Sequence, residues 1–100
     1  MRNHQTWPFS DPPNVVAIAN RKIVEGADWI AYVSHDLDDG AWQFHTADAE
    51  VAEGDAVLVS LRNIAQIDSS VLQLADLPVG WHAWLEKKDM PWRRAEMRRS

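Results

Sequence analysis

Cysteine is absent from the 100-residue chain, so it holds no disulfide, thiolate metal ligand or thiol nucleophile. That absence fits the reducing cytosol, and a cytoplasmic protein is expected. Glycine is scarce and scattered: the four glycines at positions 26, 40, 54 and 80 form no glycine-rich phosphate loop. No apolar run approaches the length of about 18 residues that a membrane-spanning helix needs. The opening MRNHQTWPFSDPPN has no apolar stretch of signal-peptide type. Basic residues are missing from Ile23 to Leu61, a stretch that carries Glu25, Asp28, Asp36, Asp38, Asp39, Asp48, Glu50, Glu53 and Asp55. Such a surface repels nucleic acid and attracts basic partners. The net charge of −5 hides this asymmetry, because the last twenty residues hold six Lys/Arg against three Asp/Glu.

What is abundant is tryptophan, six in all. Each carries a large apolar surface and one N–H donor, which suits a core anchor or an interface anchor. The length suits one domain. Residues 1–14, with Pro8, Pro12 and Pro13, read as an irregular arm that Trp7 and Phe9 tether to the body. Residues 15–86 read as a single α+β domain, and 87–100 as a basic tail that frays beyond Trp92. VVAIA (15–19) is a short apolar strand, KIVEGADWIAYVSH a strand, a turn at Glu25-Gly26 and a second strand. AWQFHT (41–46) and DAVLVS (55–60) add two more strands. Ser60 then caps a helical turn over Leu61–Gln66, and Asp68 caps a second helix with Val71, Leu72 and Ala75 inward. WHAWLEK (81–87) alternates at Trp81, Ala83 and Leu85 as in a strand, while Trp81, Trp84 and Leu85 also match a helix face; the strand is the expectation. Strands followed by helices predict an antiparallel sheet of about four to five strands with two short helices packed on one face.

The segment SHDLDDGAWQFH (34–45) looks most like chemistry. Asp38-Asp39-Gly40 suits a turn that ends on a left-handed glycine. Hydrophobic matching favours a bulged register with Leu37 opposite Ala41. Ile30, Tyr32, Trp42 and Phe44 then share the dry face, and Ala31, Val33, His35, Gln43 and His45 share the wetter one. In that register His35 and His45 are diagonal neighbours that could share a metal with a turn aspartate. A calcium loop is excluded, because the glycine comes one place early and Ala47 stands where the closing glutamate belongs. Ser34-His35-Asp36 is no triad, since consecutive strand residues point to opposite faces. No cofactor motif is present, and the segment reads mainly as a turn.

Four stretches taken in order, ANRKIVEG, DDGAWQF, VSLRNIAQIDSS and LADLPVGWHAW, resemble a bacterial domain family classed among the immunity proteins of polymorphic toxin systems. The resemblance spans about residues 15–86. It departs from the family pattern at Ala41, inserted between Gly40 and Trp42, at Gln43, where a basic residue is usual, and in a shorter acidic loop after His45. The resemblance implies a non-enzymatic protein that neutralises a partner, such as a basic toxin domain, by steric and electrostatic occlusion. It carries no catalytic residue to this chain. The expected partner-binding residues are the steering charges Asp36, Asp38, Asp39, Glu50, Glu53 and Asp55, with Trp29 and then Trp84 as apolar anchors. Two other readings are an accessory or regulatory domain with a small-molecule or homodimer interface, and a metal-dependent enzyme built on His35 and His45, with His82 as a further candidate. The chain is compatible with a monomer or a homodimer.

Overall fold

The computed structural model describes residues 7–48 and 54–97. Within them lie strands β1 (Val16–Asn20), β2 (Tyr32–His35), β3 (Trp42–His45), β4 (Ala56–Ser60), β5 (Trp81–Trp84) and β6 (Arg93–Glu96). The helices are α1 (Arg21–Val24), α2 (Leu61–Ile67) and a 3-10 helix (Ser69–Leu74). The fold is α+β. The six strands form one sheet in the order β4-β1-β3-β2-β5-β6. β1 and β3 are parallel and every other neighbouring pair is antiparallel. The expectation of four to five antiparallel strands is therefore corrected to a mixed sheet of six. Among the described residues no helix is long and apolar enough to cross a membrane.

The expected strand over KIV is instead α1. Asn20 ends β1 with extended backbone, and its side chain accepts the Lys22 N–H at 2.8 Å, which starts a helical turn. Gly26, at φ +79°, closes that turn. Its N–H bonds Ile23 O at 3.1 Å, and the Ala27 N–H reaches Lys22 O at 2.8 Å. The two later caps are as expected. Ser60 Oγ accepts from Asn63 N–H at 3.0 Å, and Asp68 Oδ1 accepts from Ser70 N–H at 3.0 Å. The element after Asp68 is 3-10, so positions three apart share a face. Val71 and Leu74 are therefore the buried pair, while Leu72 and Ala75 only flank the core.

One face of the sheet is covered. Ala17, Ala19, Val33, Trp42, Phe44 and Ala83 pack there against Ile23, Leu61, Ile64, Val71, Leu74 and Leu77. Burial of each larger side chain contributes about 1.5–3 kcal/mol. Phe9, 5% exposed, joins this core and meets Trp42 edge-on at 5.2 Å. The irregular segment before β1 is thus anchored to the core through Phe9.

The tail does not fray at Trp92. β6 pairs antiparallel with β5, and Arg94 donates to Asp76 Oδ1 at 2.8 Å and to Gln73 O at 3.0 Å. The residues RRAE carry little apolar signal, so backbone pairing and the Arg94 contacts hold a strand that hydropathy does not announce.

The hairpin register also differs from expectation by one residue. His35 faces Trp42, Ser34 faces Gln43, Val33 faces Phe44 and Tyr32 faces His45. The Asp36 N–H bonds Ala41 O at 2.8 Å and the Gly40 N–H bonds Asp36 O at 2.9 Å, so Leu37–Gly40 form a four-residue loop without a bulge. Gly40 is left-handed, at φ +71°. This register buries Val33 and places Tyr32 on the other face, where its hydroxyl finds a partner. Counting tyrosine as apolar and Val33 as wet produces the slip.

Candidate functional site

The other face of the sheet is open. The register sends Tyr32 and Ser34 of β2, Gln43 and His45 of β3 and His82 and Trp84 of β5 to it. Asp36 continues along that face past the end of β2. Its carboxylate accepts from Ser34 Oγ–H at 2.9 Å and from Gln43 Nε2–H at 2.6 Å. With its amide nitrogen committed, Gln43 presents Oε1 to His45 Nε2 at 3.1 Å, which selects the imidazole form protonated at Nε2. Tyr32 Oη lies 2.8 Å from His82 Nδ1. The rings form a cluster: Tyr32 is 5.9 Å from His45 and 5.5 Å from His82, and His82 is 5.3 Å from Trp84. Beside it on β1 and β4 the same face carries Ile18, Val16 (57% exposed) and Leu58 (74% exposed).

Electrostatics follow from partial burial beside one carboxylate. Burial raises the Tyr32 phenol above its ordinary value, and Asp36 adds to the rise. Burial lowers the His45 imidazole below its ordinary value, against the opposing pull of Asp36. His45 is therefore a neutral ring at physiological pH. A depression of about 470 Å³, lined by Ala31, Tyr32, His45, Thr46, Asp48 and Leu85 among others, opens beside it. The arrangement offers ring faces and one carboxylate to a planar or cationic group. The Tyr32 and Ser34 hydroxyls and one ring nitrogen of each imidazole are already paired within the chain.

The expected site residues fall in different places. Trp84 and Asp36 lie on the open face, and Asp38 and Asp39 are exposed at the hairpin tip. Asp36 is half-buried and tied to two side chains, so it serves the face more than it steers. Asp55 bonds Arg21 at 2.9 Å, so its charge is already paired. Trp29 is half-buried and lines a separate depression of about 570 Å³ with Ile23, Ile67, Gln73 and Met90 among others, on the helical side. Glu50 and Glu53 lie outside the described residues.

The shared site for His35 and His45 is corrected: they sit on opposite faces. His35 stacks on Trp42 at 3.9 Å on the covered side, with Nδ1 2.7 Å from Leu77 O. Among the described residues no group of three or more His, Cys, Asp or Glu is placed to hold a metal ion. Sequence reasoning did not connect Tyr32, Ser34, Gln43, His45 and His82. The alternation His82-x-Trp84 carries the signal, but it is useful only once the hairpin register is known.

Compared with protein families, curated proteins and solved structures, the chain matches none.

Proposed function

We propose that this chain is a non-enzymatic protein-binding domain that occludes a basic partner protein, in the manner of the toxin-immunity family its motifs resemble. The observation that supports this most directly is the open sheet face. It presents Trp84, Tyr32 and two imidazoles beside exposed Leu58 and Val16, and no described helix covers it. Aromatic anchors within a partly polar surface are what protein interfaces concentrate. The Trp84 ring suits an arginine or lysine side chain of the partner through its π face. Asp38 and Asp39 at the hairpin tip supply the long-range attraction that speeds encounter.

The test is co-expression with the product of the adjacent gene, scored by growth and by the kinetics of binding between the two purified proteins. Rescue of growth with direct binding is expected. Trp84→Ala should speed dissociation and weaken affinity by about tenfold or more. Asp38→Asn with Asp39→Asn should slow association at low salt and leave dissociation little changed. Absence of both rescue and binding overturns the reading. Binding that is indifferent to Trp84 moves it off this face.

A further inference from the structure

β4 ends the sheet, and its outer edge is unlike the edge at the other end. Arg21 N–H to Asp55 O at 2.6 Å and Leu61 N–H to Val15 O at 2.9 Å bracket the β1–β4 ladder. Bonding in an antiparallel pair alternates from residue to residue. Val57 and Val59 therefore turn their backbone groups toward β1, opposite Ala19 and Ala17, and Ala56, Leu58 and Ser60 turn theirs outward. Among the described residues nothing bonds the outward N–H and C=O groups of Ala56 and Leu58. The Leu58 side chain stands 74% exposed on the open face beside that edge.

Sheet edges are usually protected by charge, proline or a bulge. β6 follows that rule with RRAE, whereas β4 reads AVLVS and carries no such device. We propose that β4 is a pairing edge whose occupant is the β4 strand of a second copy of this chain, running antiparallel across a twofold axis at Leu58. The two Leu58 residues then exchange N–H···O bonds, and each Ser60 N–H meets the Ala56 carbonyl of the other copy. Both Leu58 side chains come together on one continuous open face. The strand is uncharged, so pairing with itself brings no like charges into opposition. Past the strand ends, Arg62 at the start of α2 in one copy comes near Gly54 and Asp55 of the other, and Asp55, which Arg21 engages through Oδ1, keeps Oδ2 for it. Arg62 is exposed and has no ion pair among the described residues. Five residues make a short interface, so the dimer forms and dissociates with concentration.

Sedimentation equilibrium of the whole chain tests this. The mass is expected to climb with concentration from 11.4 kDa toward twice that value. Ala56→Pro removes an outward N–H that the monomer does not use and sets the proline ring against the Ser60 carbonyl of the other copy, and proline is tolerated at the first residue of an edge strand. That variant and Leu58→Lys should keep the parent circular dichroism spectrum and raise the dimer dissociation constant by about tenfold or more. Because the chain has no cysteine, Leu58→Cys gives a clean probe. It should oxidise to a covalent dimer, while Val79→Cys, also exposed but away from β4, should not. A parent that stays monomeric at its highest soluble concentration overturns the proposal. A dimer that persists in a folded Ala56→Pro variant and fails to cross-link through Leu58→Cys overturns it as well.

Discussion

Asp36 acts on more of the open face than any other single residue, through two hydrogen bonds and through its field. Its charge raises the Tyr32 phenol and partly offsets the fall of the His45 imidazole. Asp36→Asn keeps the shape and removes the charge. The His45 pKa should then fall further, and the Tyr32 pKa should move back toward 10.0. Nuclear magnetic resonance titration of His45 and ultraviolet titration of the single tyrosine read both shifts, and two static values would refute the described network. Neutral hydrogen bonds replace charge-assisted ones, at a stability cost of about 1 kcal/mol. The folded His45 pKa lies below the ordinary 6.5, so the unfolded chain binds its proton first. Stability from this residue is present above 6.5 and is lost as pH falls from there through the folded pKa. Denaturation midpoints should decline across that window, and His45→Gln should flatten the decline.

At the scale of elements, caps and turns determine where each segment begins and ends. Ser60→Ala removes the acceptor for the Asn63 N–H and should cost about 1 kcal/mol in urea denaturation. Gly40→Ala should cost about 1–2 kcal/mol, all of it backbone strain at φ +71°, since a Cβ there meets nothing within 4 Å. A loss near zero would mean the hairpin loop adopts another geometry. These are also the features that local sequence reveals well. β1, β3, β4 and β5 are legible from apolar runs and alternation, and α2 from Ser60 and its one-face spacing. α1 is not, because four residues are too few to display a helical period, and only the Asn20 cap marks it. β6 escapes hydropathy because its side chains are mostly charged. The hairpin shows how much one residue of loop length matters. With a three-residue loop, Tyr32 joins the core and both histidines share a face; with the observed four, Val33 enters the core and the histidines separate.

At the scale of the whole molecule, long-range pairing decides what the sequence leaves open. The parallel contact of β1 with β3 and the meeting of Tyr32 with His82, fifty residues apart, are properties of the assembled sheet. The cluster on the candidate face is built from three strands and becomes visible only after they are arranged. Trp42 is where the largest pieces meet. It is buried, stacks on His35 at 3.9 Å, takes Phe9 edge-on and donates its indole N–H to Asp11 Oδ2 at 3.0 Å. The segment before β1, the hairpin and the covered face of the sheet thus share one side chain. Trp42→Ala should cost about 3–5 kcal/mol. That is a large part of the roughly 5–15 kcal/mol that holds a domain together. Trp42→Phe keeps a ring against His35 and Phe9 but loses the indole donor and part of the ring volume, so its cost should be closer to 1–2 kcal/mol, about that of one hydrogen bond and some packing. Thermal melts of both variants separate the two contributions, because ring packing survives in only one of them. Equal losses would show that the Asp11 bond dominates, and a Trp42→Ala protein melting with the parent would mean that these pieces are not joined there.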